Sequence, residues 1–335
     1  MITLVFCRIP YSMKIYKTVL CVILVLFLLF TPKYLVLGAK QQFVDTRFVR
    51  DENRYRGIVT MYHIVRHRPY LGSLTSWLQK RADEYEKKHR GSSIAVEGMS
   101  EETFAERMAH GRHADAYSFF SGSLYPDLLK SVETETCDLR EGLFCTDRCV
   151  PYCYTGYVKL ERNPTDSAQK TYYANDVLAA YLGGAADTAE ERKADTLYLD
   201  LRRACDLMRY QDGFASAQLD AIDNFTDAVC WIGIDRDTDE QKTEVLRSFI
   251  QWLLSESAQE KLSALGLFSV RRDVRNTAPE AILKSVCKAY QTIRTVDPFL
   301  WYEQYDALAQ DARNARNGDA EALARFQKRF EELRR

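Results

Sequence analysis

Short β-rich runs alternate with amphipathic stretches between Ile58 and Phe119, and few architectures accept that rhythm. Ile58, Val59, Thr60, Met61 and Tyr62 form a run of strand-favouring residues. Ser73 stands where it can cap a helix in which Leu74, Leu78, Ala82 and Tyr85 recur near helical spacing, with Trp77 beside them. Gly91 ends that helix, as a glycine just past a C-terminus does. Ile94 and Val96 alternate in a second strand, and Ser100 caps a second helix carrying Phe104, Ala105 and Met108. After Gly111 comes a third strand, Ala114 to Phe119, closed by the turn Ser121–Gly122. Parallel strands need long crossover connections, normally helices, so the order strand, helix, strand, helix, strand predicts an α/β fold with a parallel sheet.

The second half is less regular. Tyr152 to Leu160 is expected as one strand, broken at Asn163–Pro164. Tyr173 to Leu182 reads as a helix stopped by Gly183 and Gly184, and Ala189 to Tyr210 as another before the turn Asp212–Gly213. Val229 to Ile234 is a continuous apolar run that suits a buried strand. Thr238 and Gln241 match a capping box, opening a helix with Val245, Leu246, Phe249, Ile250, Leu253 and Leu254 on one stripe. A further helix runs to Leu265 and stops at Gly266, and Leu267 to Val270 is strand-like. The tail from Pro279 is helical, with breaks at Asp297–Pro298 and at Asn317–Gly318–Asp319.

The 335 residues suit about two domains. Residues 1–39 stand apart: Val19 to Phe30 is twelve apolar residues unbroken, with Lys14 and Lys17 before it and Gly38–Ala39 after it. This is the layout of an export signal. Twelve residues rise about 18 Å as a helix against roughly 30 Å of hydrocarbon, so a cleaved signal and a longer uncleaved anchor are both open. Met13 offers an alternative start. Residues 40–56 are polar and read as a linker from the membrane face. Four of the 46 basic residues lie in the first 39, which hold no acid, so the remainder carries a net charge of −5. A mildly acidic body lacks the clustered cations that phosphate backbones require, and nucleic-acid binding is excluded.

Seven of the nine cysteines lie in that body, with Cys145, Cys149 and Cys153 spaced four apart and Cys137 nearby. Unpaired structural thiols and at least one disulfide among these four are both open; a zinc site lacks a second ligand pair at the right spacing. Residues 235–246 imitate the opening of a calcium loop, but Glu240 stands where glycine is required, and the stretch reads as an acidic helix start. The pairs His63/His67 and His110/His113 have no converging third ligand, and no catalytic serine elbow, phosphate loop or dinucleotide fingerprint occurs. No cofactor and no enzymatic activity are expected.

Four separated pieces resemble the family-1 extracellular solute-binding proteins of bacterial ABC importers. The first is the run Ile58 to His63, followed by the helix from Trp77 to His89, with Tyr85 in place of the usual Phe. The second is Gly111 to Gly122, similar to the family's glycine loop and "P-D" strand, with Ala114 for the customary Pro. The third is Val150 to Val158 with Asn163, like the family's hinge-crossing strand. The fourth runs from Trp231 to Asp235 and then from Phe249 through Leu253, Glu256 and Gln259 to Gly266, like the late helix pair. The resemblance implies a two-lobed, periplasmic-binding-protein-like α/β fold (a type II Venus flytrap) with hinge-crossing strands and a helical C-terminal tail. It implies a first lobe over 57–150, a second over 151–265, and a return to the first lobe with C-terminal helices over 266–335. Only about 65 residues separate Asn163 from Val229, so the second lobe is expected to be abbreviated.

A protein of this kind captures a solute, first of all a carbohydrate, in the cleft and delivers it to importer permeases at the extracellular face of the membrane, as a monomer. The other reading is a degenerate, membrane-anchored interaction or sensory protein whose cleft holds no transported solute. Ligands of open α/β sheets bind at strand C-termini, which makes His63, Tyr70, Phe119, Phe120, Ser121, Tyr154 and Trp231 the expected contacts. Core packing competes for each aromatic, and Asp227 is expected as a turn or cap residue.

Overall fold

The computed structural model describes residues 55–66, 72–89, 91–132, 138–162, 170–184, 189–211, 214, 217–222, 225–276, 286, 290 and 293–333. The export signal, Tyr70, Cys137 and Asn163 lie outside the described residues. Among those described, no helix is long and apolar enough to cross a membrane. Contacts group the chain into two units. The smaller includes residues 55–58 and 91–93, where the Tyr55 hydroxyl donates to the Ile58 carbonyl at 3.2 Å. The larger comprises Val59–His89 and Ile94–Arg335.

The first half follows the predicted alternation: β1 (Gly57–Ile64), α1 (Leu74–Lys88), β2 (Ser92–Met99), α2 (Glu101–Ala109) and β3 (Ala116–Phe120). Both helices open on the serines that the sequence points to. Ser73 accepts from the Ser76 amide and Ser100 from the Thr103 amide, each satisfying a donor that a helix N-terminus leaves free. α1 buries Trp77, Leu78, Ala82 and Tyr85 along one stripe. β1 pairs parallel with β3, Met61 opposite Ala116, as crossover helices require.

The sheet is mixed, not purely parallel. Six strands run in the order β11-β4-β10-β3-β1-β2, where β4 is Val150–Tyr154, β10 Val229–Ile234 and β11 Phe268–Ser269. β10 runs antiparallel to both β3 and β4. Every residue of β3, β4 and β10 is buried, which accounts for their unbroken apolar character.

A second sheet has the order β6-β7-β5-β8: β5 (Tyr157–Glu161), β6 (Thr171–Tyr173), β7 (Thr196–Asp200) and β8 (Gln218–Ala221). The expected strand from Tyr152 to Leu160 is therefore two, β4 and β5, parted at Thr155–Gly156 and placed in different sheets. The expected helix from Ala189 to Tyr210 is also divided. β7 occupies Thr196–Asp200, and α4 (Leu201–Tyr210) starts only where Asp200 accepts from the Arg203 amide. Pairing of β7 with β5 on one side and β6 on the other overrides helical propensity there. α3 (Asp176–Tyr181) is shorter than predicted and capped by Asn175.

β9 (Phe225–Thr226) leads back into β10 and pairs with β12 (Arg294–Thr295). In α5 (Glu240–Leu253) the cap is Asp239, one residue later than expected, because the Thr238 hydroxyl donates instead to the Asp115 carbonyl at 2.9 Å. The short α6 (Glu256–Gln259) tightens into a 3₁₀ turn that ends at Gly266 in the left-handed conformation, φ 64°. Two long helices follow, α7 (Pro298–Arg316) and α8 (Ala320–Leu333), parted at the predicted Asn317–Gly318–Asp319; before α7 the tail is not the expected helix at Arg294–Thr295, which is strand β12, and 279–285 lie outside the described residues. The two helices form an apolar cluster with α3 and β9 in which Trp301, Phe326 and Phe330 meet Val177 and Phe225.

Candidate functional site

Among the described residues, β4 leads out to β5 through Thr155–Gly156 and β9 leads back into β10 through Asp227–Ala228, and the two segments are adjacent. The Thr155 amide donates to the Ala228 carbonyl at 3.0 Å, and the Thr226 hydroxyl donates to the Thr155 carbonyl at 2.6 Å. At Gly156 a Cβ would lie 2.1 Å from the Tyr290 ring, so only glycine allows the crossing to pass this close. The Tyr290 hydroxyl donates to the next carbonyl, that of Tyr157.

A charged cluster is built directly on these segments. Asp227 is 2% exposed; it accepts from the Tyr157 hydroxyl at 2.6 Å and from Arg66, just past β1, at 3.0 Å. Burial alone would raise the Asp227 carboxyl. The Arg66 charge and the hydrogen bonds from Tyr157 and Arg66 outweigh it and hold the group below the ordinary carboxylate range. The Tyr157 phenol is pushed well up, first by burial and then by the neighbouring carboxylate. Arg66 and Asp227 neutralise each other, so the cluster is polar without net charge.

Beside it lies a cavity of about 10 Å³, the space of a single water. Tyr157, Tyr181, Phe225, Trp301 and Phe330 form its aromatic walls, and Asn175 and Asp227 add polar groups. The rings pack edge to face or tilted, with centroids 4.8 Å apart for Phe225 and Phe330 and 5.0 Å for Tyr181 and Phe330. Trp301 is delivered by the start of α7, where Asp297 accepts from the Phe299 and Leu300 amides and Pro298 takes the first helical position. The loop after β3 meets this end: the Gly122 amide donates to the Pro298 carbonyl at 3.2 Å. Gly122 has φ 85°, and a Cβ there would lie 2.8 Å from the Trp301 ring. A larger groove of about 350 Å³ near Gly142–Cys145 has Arg294 and Glu331 exposed at its edge and no buried charge.

Among the described residues, none of the expected contacts lines the small cavity. His63, Phe119, Phe120, Ser121, Tyr154 and Trp231 are all buried within the first sheet or its strand ends. His63 Nδ1 lies 2.9 Å from the Ser118 hydroxyl, Trp231 Nε1 donates to Ser121 at 3.0 Å, and the Tyr154 hydroxyl donates to the Tyr290 carbonyl at 2.7 Å. Phe119 stacks on Phe299. Tyr70 lies outside the described residues. Asp227, expected as a turn or cap, is instead the acceptor at the centre of the cluster. Trp301 and Phe330 went unnoticed in the sequence; the Asp297–Pro298 helix start just before Trp301 was the one local signal.

Of the two alternatives for the cysteine cluster, the structure has unpaired thiols at Cys145, Cys149 and Cys153. Cys149 and Cys153 lie four residues apart along extended chain, about 13 Å at strand rise, far beyond disulfide reach. Cys137 lies outside the described residues. Among the described residues no three His, Cys, Asp or Glu side chains converge as a metal site needs.

No family model matches the sequence, and no curated protein matches it. The fold is that of two-lobed, periplasmic-binding-protein-like structures. It is similar to the cyclic alpha-maltosyl-1,6-maltose binding protein from Arthrobacter globiformis, with a TM-score of 0.60 and 10% identity over 83% of this chain and 99% of that one. It is similar to maltose-bound MalE3 of T. maritima (TM-score 0.57, 11% identity, 82% and 98% covered). The Bordetella ferric binding protein is also similar (TM-score 0.52, 12% identity, 78% and 99% covered).

Proposed function

We propose that the chain is an extracytoplasmic solute-binding protein of an ABC importer, exported or anchored through residues 1–39, which captures a neutral polyhydroxylated solute, a carbohydrate, by hinge closure. The observation that carries this reading is the set of aromatic walls around an internally neutralised Arg66–Asp227–Tyr157 cluster at the crossing segments. Aromatic faces suit sugar rings, and the buried donors and acceptors suit hydroxyls. A site with its own counter-ion offers little to a bare anion or cation. Oligosaccharide-binding proteins among the similar structures support the solute class; the ferric-binding ones leave it wider.

A cavity of about 10 Å³ has no room for a sugar, so capture requires the two sheets to part about Thr155–Gly156 and Asp227–Ala228. The test is a melting series of the purified chain with mono- and oligosaccharides, since a ligand bound only to the folded state stabilises it by RT ln(1 + [L]/Kd). A rise in Tm with one of them supports the proposal. No rise with any at millimolar level favours the second reading, an anchored interaction or sensory protein, for which the filling of the cavity by the protein's own rings argues.

A further inference from the structure

Cys153 on β4 and Cys230 on β10 stand directly opposite each other in an antiparallel ladder. Opposed residues in such a ladder have Cα atoms about 4.5–5.5 Å apart, inside the roughly 4.4–6.8 Å that a disulfide spans. Both are fully buried free thiols. A register shift between Cys230 and Trp231 leaves Tyr152 as the extra residue of β4, and its hydroxyl accepts from the Cys230 thiol at 3.0 Å. Directly opposed residues of a ladder project to the same face, so the two cysteine side chains share one side of it.

We infer that Cys153 and Cys230 are a modification site, a dithiol that a disulfide-bearing oxidant converts to a cross-strand disulfide. The exchange balances as two thiols plus one oxidant disulfide giving the Cys153–Cys230 bond plus two oxidant thiols, with both protons and both electrons leaving to the oxidant. The bond closes the segment that holds β5 to β9, α3 and α4 at the place where β4 leaves the first sheet and β10 re-enters it. It clamps the root of both crossing segments.

Burial raises both the barrier to attack and the Cys153 thiol itself, so the folded, reduced pair reacts slowly. Formation belongs to the folding chain, as β4 and β10 pair and before the core covers them. Once made, the bond is shielded from reductants by the same burial.

The test refolds the reduced, denatured full chain in mild detergent with oxidised glutathione, then alkylates free thiols and maps peptides without reduction. The expected result is a Cys153–Cys230 linked peptide as the main cross-link, with Tm on the order of 5–10 °C above that of the same chain refolded in dithiothreitol. C230S refolded both ways should show no such difference. Because that variant can fail to fold, the wild-type peptide map decides alone. Alkylated Cys153 and Cys230 after oxidative refolding, or Cys153 joined mainly to another cysteine, overturns the inference. The outcome is independent of any solute, so it stands or falls apart from the proposed function.

Discussion

Asp227 keeps its charge inside the protein only while Arg66 and Tyr157 both donate to it. Removing one partner of a buried pair leaves the other uncompensated. Asp227→Asn should therefore cost about 3 kcal/mol in chemical denaturation, at the low end of such losses because Arg66 is one-quarter exposed. The pH dependence has a definite sign. A carboxyl held below its unfolded value stabilises the fold above the ordinary carboxylate range, and that stability is lost as pH falls through the folded value. The wild-type Tm should thus fall more steeply in acid than that of Asp227→Asn, as parallel melts across pH 2–6 would show. Little of this cluster was legible in the sequence. Arg66, Tyr157 and Asp227 are each unremarkable in their own surroundings, and 161 positions separate the ion pair. Phe119, Phe120, Tyr154 and Trp231, expected at strand ends, lie outside the small cavity's walls for the opposite reason. Strands buried on both faces turn every large side chain into core, so Phe119 and Trp231 pack where position alone suggested a cleft.

The crossing segments and the α7–α8 pair position everything that the cavity uses. Gly156→Ala should lose roughly 1–3 kcal/mol, because its methyl must displace the Tyr290 ring from a filled interior; equilibrium unfolding measures it. Trp301→Ala removes the largest ring of the wall and should cost about 3–5 kcal/mol. It should also abolish any sugar-induced rise in Tm, whereas a rise that survives the substitution would place the solute elsewhere. Local rules predicted α1, α2, α7 and α8 well, since a cap such as Ser73 or Asp297 and a glycine such as Gly318 act within a turn of where they stand. They misread β7 because its five residues are held by β5 and β6, partners at other positions in the chain.

Among the described residues, Thr155–Gly156 and Asp227–Ala228 lie side by side, and the proposed capture places the bend there. If solute binding closes that bend, exchange of the Thr155 amide, which donates to the Ala228 carbonyl across the two segments, should slow several-fold with the ligand present; unchanged exchange on binding would separate capture from hinge closure. The sequence alone determined the α/β class and the order of elements from β1 to β3 and from β10 to β11, because hydrophobic period, helix caps and turn glycines are properties of neighbours in the chain. Only the tertiary structure decided that β10 runs against β3 and β4, that Cys153 faces Cys230 rather than Cys149, and that Trp301 and Phe330 close on Asp227. Those outcomes depend on which distant segments share a buried surface, and the free energy that selects among such pairings is spread over the whole core, not written in any one stretch.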